Sequence, residues 1–199
     1  MSMAFDADDS AYTDAALLAD YAKGDAAAAR ALTARLAPRV FAQALRMLGD
    51  RAEAEDVTQE ALLRLWKVAP EWDADRAKVS TWLYRVAANL CTDRLRRKGR
   101  VSPGLDEVPE QQSGDPSVER HMQSATRLNA LEQALQTLPE RQRMAVVLRH
   151  IEGLANPDIA EVLGISIEAV ESLTARGKRA LAAILWPRKE ELGFEDDPT

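Results

Sequence analysis

The chain has 199 residues, 46% apolar and 29% charged, with a net charge of −6; these are ordinary globular values, room for one or two domains, and they exclude wholesale disorder. One cysteine, Cys91, excludes an internal disulfide framework. No apolar run approaches the ~18–20 residues of a membrane-crossing helix, and the acidic start MSMAFDADDS lacks the basic and apolar regions of a signal peptide, so a soluble cytoplasmic protein is expected.

Abundant alanine and leucine with sparse glycine favour helix throughout. Thr13 or Asp14 caps a first predicted helix, which Gly24 ends. Asp25 caps a second that runs to about Leu48 and stops at Gly49. Asp50 caps a third, with Glu53 at its third helical position as in a capping box, and Pro70 follows it. The polar loop EWDADRAK leads to Ser80, the expected cap of a helix from Thr81 to about Lys98. Between Val101 and Ser117 the periodicity fails; Pro103, Gly104, Pro109, Gly114 and Pro116, set among acids, read as a flexible linker. Apolar periodicity resumes near Met122 and runs to Leu138, Pro139 breaks it, and a helix follows from Glu140 to about Glu152. Asn156 and Pro157 supply a cap and a first-turn proline for a short helix that ends at Gly164. Ser166 caps the last long helix, which Pro187 stops after about Trp186, and the polar tail beyond is expected to fray. The predicted fold is all-α: a helical domain over about 10–100, an acidic linker over 101–120, a second helical domain with a helix-turn-helix over 121–188, and a tail over 189–199.

The net charge argues against nucleic acid, but its distribution does not. Residues 76–100 hold eight Lys or Arg against one Asp, residues 101–119 hold five acids and no base, and residues 176–189 hold five bases and no acid. That segregation suggests two basic surfaces joined by an acidic connector; solvated helix faces are the competing reading.

Advancing 100° per residue sorts each long helix into faces. In the third, Val57, Ala61, Leu65 and Val68 share the buried side with Leu62 at its flank. Asp56, Gln59, Glu60 and Leu63 share the opposite side. Acids and an amide around one apolar anchor suit docking on an arginine-bearing protein, against the plainer reading of a wet face with an incidental leucine. In the fourth, Val79, Leu83, Val86, Ala87 and Leu90 face inward; Thr81, Arg85, Asn89, Thr92 and Arg96 face outward, mixing phosphate-binding and base-reading groups. Trp82 borders the core side, whereas Trp72, in the loop, is open to stacking with unpaired bases. In the last, Val170, Leu173, Gly177, Leu181 and Ile184 face inward. Glu168, Glu171, Ser172, Ala175 and Arg179 face outward with Arg176 at the edge, the N-terminal end of that face being placed for a major groove.

These runs have a family likeness. AEDVTQEALLRLW (Ala54 to Trp66) resembles the polymerase-binding helix of sigma factors, and STWLYRVAANLCTDRLRRKGR (Ser80 to Arg100) the adjoining helix that opens and reads the −10 element. TLPERQRMAVVLRHIEGLANPDIAEVLGISIEAVESLTARGKRAL resembles the helix-turn-helix domain that reads the −35 element. With no room for further domains, the chain resembles the extracytoplasmic-function (ECF) group.

The resemblance implies a non-catalytic subunit that gives core RNA polymerase its promoter specificity. Asp56, Gln59, Glu60 and Leu63 would grip the β′ coiled coil, with further contact to the β subunit. The loop from Glu71 to Val79, with Trp72, Arg76 and Lys78, would hold a flipped −10 base; Asn89 would floor that pocket, flanked by Arg85 and Arg96. Ser172 and Arg176 would meet −35 DNA, together with Ser166, Glu168, Glu171 and Arg179 of the same helix end. An anti-sigma protein is an expected partner. The chain departs from the pattern at Glu171, where many members are basic, at Ala175, where many carry a longer side chain, and in LANPDIA, which lacks an aromatic. No cofactor is expected, and His121, His150 and Cys91 are not spaced for a metal site. The rivals are a stand-alone helix-turn-helix regulator, which leaves AEDVTQEALLRLW unexplained, a polymerase decoy, and, last, an enzyme.

Overall fold

The computed structural model describes residues 13–73, 78–101, 118–189 and 191–193, and every regular element among them is helical. Helix α1 (Asp14–Ala22) is capped by Thr13, which accepts from the Ala16 amide at 3.2 Å. Helix α2 (Ala26–Leu48) is capped by Asp25 and ends at Gly49, whose φ of 67° lies in the left-handed region open to glycine. Pro38 sits inside α2 without ending it. Its neighbours Leu36 and Val40 are fully buried, and that packing outweighs the ~3 kcal/mol a mid-helix proline costs. Asp50 caps α3 (Arg51–Val68), accepting from the Glu53 amide at 3.0 Å. Helix α4 (Val79–Val101) starts two residues before the expected Thr81. Buried Val79 anchors its first turn, and Lys78, not Ser80, lends the carbonyl that takes the Trp82 amide.

The second body comprises α5 (Val118–Thr137), α6 (Glu140–Val146), α7 (Asn156–Leu163) and α8 (Ile167–Leu185). The helix expected to run to about Glu152 is present, but after Val146 it widens into a π-type turn over Val147–Ile151. Asn156 is the first residue of α7 and not its cap; extended Ala155 holds that place. Gly164, at φ 62°, turns the chain between α7 and α8, and Ser166 caps α8 as its position suggested. Ile184, expected inside, is exposed. The start of the tail is held down: Leu192 is buried, and Arg127 donates to the carbonyls of Leu192 and Gly193 at 2.6 and 2.8 Å.

The first body packs α1, α3 and α4 around α2. Its core does not stop at its own boundary: Met144, Leu148, Ile159, Val162 and Val170 of the second body belong to the same buried cluster as Leu32, Leu65 and Leu83. A smaller cluster of Leu135, Leu138, Val146, Val147 and Leu181 fills the second body. Helix α7 lies on α4, and α5 and α6 lie on α2. The picture of two bodies joined only by a connector is therefore incomplete, because their helices share a packed seam.

Candidate nucleic-acid interface

Helix α3 has the two faces its sequence implies. Ala54, Val57, Ala61, Leu62 and Leu65 are buried, while Asp56, Gln59 and Leu63 stand exposed. Glu60 is half-buried; Arg64 donates to it at 2.6 Å and Arg94 of α4 lies 3.8 Å away. Arg94 also meets Glu53 at 2.7 Å, and Lys98 meets Asp50 at 3.7 Å, so the basic face of α4 clamps the acidic side of α3. The stripe is thus a rigid surface with one apolar anchor, Leu63, 59% exposed.

On α4, Arg85, Asn89 and Arg96 are exposed on one side. Two of their expected companions are not. Thr81 is buried, because α7 lies over that end of the helix, and Thr92 is half-buried and donates to Glu140 of α6. Lys78 is exposed and pairs with Asp158 of α7 at 3.5 Å. Arg76 lies outside the described residues. Trp72 is half-buried and meets Trp82 edge-on, centroids 5.8 Å apart at 89°. Its indole Nε1 is buried with no hydrogen-bond partner among the described residues. Cys91 is fully buried behind this face, and burial pushes its thiol up to about 12, with Arg94 pulling down and Glu140 pushing up.

On α8, Ser166, Glu168, Glu171, Ser172, Ala175, Arg176 and Arg179 are all exposed. The helix end is well fixed: the Ser166 hydroxyl accepts from the Ala169 amide at 3.3 Å. The Glu168 carboxyl is held below its ordinary range by its own backbone amide and then by Ser166. Arg176 donates to the Ser172 hydroxyl at 2.7 Å, and the Asn156 amide of α7 donates to Glu171 at 3.4 Å. Asn156 thus orients an acid on the outer face, a role its reading as a helix cap had hidden. The scaffold beneath is close: a Cβ on Gly177 would lie 2.6 Å from Val146 Cγ2, so α6 and α8 touch at that glycine.

Sequence patterning also missed a set of buried and half-buried polar groups between the bodies, namely Gln43, Gln136, Arg143 and Glu152. Nothing about a lone Gln or Arg in an amphipathic helix announces that its partner is a backbone carbonyl 90 or 96 residues away.

An acidic face on α3 lies beside the basic α4, and a helix-turn-helix follows in the second body. The chain matches the sigma-70 region 2 family over residues 32–101 and the sigma-70 region 4 family over residues 128–181. It is 33% identical to the ECF RNA polymerase sigma factor SigW of Bacillus subtilis, the match covering 72% of this chain and 81% of that protein. It is 32% identical to the RNA polymerase sigma-H factor of Pseudomonas aeruginosa over 85% and 92% of the two chains. Among solved structures it is similar to CnrH in complex with the cytosolic domain of CnrY, at 29% identity and a TM-score of 0.64, covering 87% of this chain and 97% of that one. The chain belongs to the ECF group of RNA polymerase sigma factors, which bind core polymerase and direct initiation at −10 and −35 promoter elements. None of its described helices is long and apolar enough to cross a membrane.

Proposed function

We propose that this sigma factor divides its work among three exposed surfaces. Asp56, Gln59, Glu60 and Leu63 dock on an arginine-bearing coiled coil of the polymerase β′ subunit, with a further contact to β. Arg85, Asn89 and Arg96, with Trp72, Arg76 and Lys78 from the preceding loop, hold the separated −10 strand. Trp72, half-buried edge-on against Trp82, lends that loop an aromatic surface for an unstacked base. Ser166, Glu168, Glu171, Ser172, Arg176 and Arg179 meet the −35 duplex, arginines on phosphate and the N-terminal residues of α8 on base edges. The factor acts in the cytoplasm by binding and positioning, not by catalysis.

One observation does most to support this reading. Leu63 is 59% exposed and ringed by acids and an amide, while its neighbour Leu62 is 9% exposed. An exposed large apolar residue in that setting is a docking anchor. The similarity to CnrH, solved in complex with the cytosolic domain of CnrY, supports a protein that binds the factor itself, the expected anti-sigma protein, as a further partner.

Run-off transcription with core polymerase, followed by mapping of start sites, tests the whole reading. Glu60→Lys is expected to abolish initiation by setting a cation against the partner's arginines. Arg176→Ala should weaken −35 binding and lower its salt slope by about one, with core binding unchanged. If wild-type chain joins core and initiates nowhere, the reading is wrong.

A further inference from the structure

The two acids on the outer face of α8 are held in different ways. Glu168, in the first turn, is bonded by its own backbone amide and by the Ser166 hydroxyl, so its carboxylate is turned back onto the helix end. Glu171, further along the same face, takes the Asn156 amide of α7 at 3.4 Å. Asn156 is half-buried and is the first residue of α7, and Pro157 after it restricts its backbone. Ile159 and Val162 of α7 lie in one buried cluster with Val170 of α8, and Gly164, at φ 62°, fixes the turn between the two helices. A side chain on a fixed helix end thus holds one oxygen of a long, flexible side chain on the next helix. The other oxygen of Glu171 is left to accept elsewhere.

The chemistry of that oxygen selects a base. A carboxylate only accepts hydrogen bonds. In the major groove cytosine shows one donor, N4, and no acceptor, whereas adenine sets the N7 acceptor beside its N6 donor, and guanine and thymine turn acceptors to the groove. A carboxylate therefore gains most on cytosine. Ser172, next along α8, has the opposite polarity. Its hydroxyl oxygen accepts from Arg176 at 2.7 Å, which leaves its proton to donate, and guanine O6 and N7 are acceptors for it. An acceptor beside a donor matches the edge of a cytosine–guanine pair. The tether also has an electrostatic consequence. A loose glutamate would sweep its charge past the phosphates, where it repels, and would lose its rotamer freedom on docking. Held by Asn156, Glu171 has lost part of that freedom before the duplex arrives, and water leaving the groove strengthens the bond that holds it.

We propose that Asn156 is a positioning residue for −35 recognition: from the first helix of the helix-turn-helix it holds the Glu171 carboxylate over the base edges, and the pair makes cytosine the favoured base at one position of the element. The cytosine preference rests on α8 entering the −35 groove, as the proposed function has it; the tether between α7 and α8 does not. Asn156 touches no base itself. Its effect passes through Glu171 and disappears when Glu171 is removed.

The test uses core polymerase loaded with the full chain. Promoter DNA with a randomised −35 element is selected by binding, and four templates that differ only at the selected position are then compared in run-off. Wild type should favour cytosine there by about 5–20-fold, the lower part of what one mismatched pair costs. Asn156→Leu, close in size and unable to donate, should bring that ratio to within about twofold of the Glu171→Ala value, while adding it to Glu171→Ala should leave the ratio unchanged, as a shared path requires. Asn156→Asp sets two carboxylates together and should also abolish the preference. Combined with Glu171→Gln, whose amide donates to the new carboxylate, it should show a preference again, now for adenine, which a misfolded variant would not do. Equal loss of run-off on all four templates in Asn156→Leu marks a structural role and overturns the proposal. A −35 consensus whose cytosine preference is missing, or survives Asn156→Leu or Glu171→Ala intact, overturns it and leaves −35 recognition standing. A selection that returns no −35 consensus at all refutes the promoter reading, and the cytosine preference with it.

Discussion

Leu62 and Leu63 are adjacent on α3 and should respond in opposite ways to the same truncation. Leu62 is 9% exposed, within the first-body core. Leu62→Ala removes three buried carbons' worth of packing and should cost about 2–5 kcal/mol of folding stability. Leu63 is 59% exposed, so Leu63→Ala should change stability by less than about 0.5 kcal/mol. What Leu63 has left to bury is that exposed share. Complete burial of a leucine is worth about 1.5–3 kcal/mol, so its remaining share comes to about 0.9–1.8 kcal/mol. Leu63→Ala should therefore weaken binding to core polymerase about 5–20-fold. Urea titration of both variants, alongside competition against wild type for core, separates the two effects. If Leu63→Ala binds core within twofold of wild type, the stripe around it is not the docking surface. If it unfolds as readily as Leu62→Ala, the two faces of α3 have been misplaced.

Three further expectations follow from the local geometry. Burial raises the Cys91 thiol from 9.0 to about 12 in the folded chain, so the stability tied to its proton is complete below pH 9 and lost as pH rises towards 12. Wild type should accordingly lose stability above pH 9 faster than Cys91→Ala in parallel denaturant titrations, and equal slopes would contradict the burial. Gly177→Ala would ordinarily gain about 1 kcal/mol of helix propensity, but its Cβ meets Val146 Cγ2 at 2.6 Å and the Gln142 carbonyl at 3.2 Å. Overpacking of about 1–3 kcal/mol should prevail, and a raised melting temperature would show that α6 and α8 are not in close contact. Glu171 is held by Asn156 at 3.4 Å and has the chemistry to accept from cytosine N4. Selection from a randomised −35 element should return cytosine at one position for wild type and adenine for Glu171→Gln, while identical selections from both would remove Glu171 from base reading.

The elements were legible where their signals are local. Asp25, Asp50 and Ser166 accept the backbone amides that cap residues accept, and Gly49 and Gly164 take left-handed turns. The face of α3 was legible because one helix turns only one side to its own body. The face of α4 was legible in part. Thr81 and Thr92 fall on the outward side of an isolated helix, yet a second body covers them, and no periodicity within α4 encodes what comes to lie on it. Asn156 was misread for a related reason: an asparagine before proline suits a cap, but here its amide is engaged by Glu171, fifteen residues on. Arg143, 7% exposed, was invisible because its partners are mostly carbonyl oxygens, which every residue carries.

A net charge of −6 and a promoter-binding role are reconciled by where the cations are engaged. On α4, Arg94 is held by Glu53 and Glu60, and Lys98 by Asp50, so these charges stiffen the first body and are poorly placed to hold phosphate. Arg85 and Arg96 are exposed, as are Arg176 and Arg179 on α8. Lys78 stands between these groups: it lies at the mouth of the loop before α4 and is paired with Asp158 only because α7 rests there. The exposed cations of α4 and α8 are therefore local exceptions in an acidic chain, set apart from those that Glu53, Glu60 and Asp50 engage.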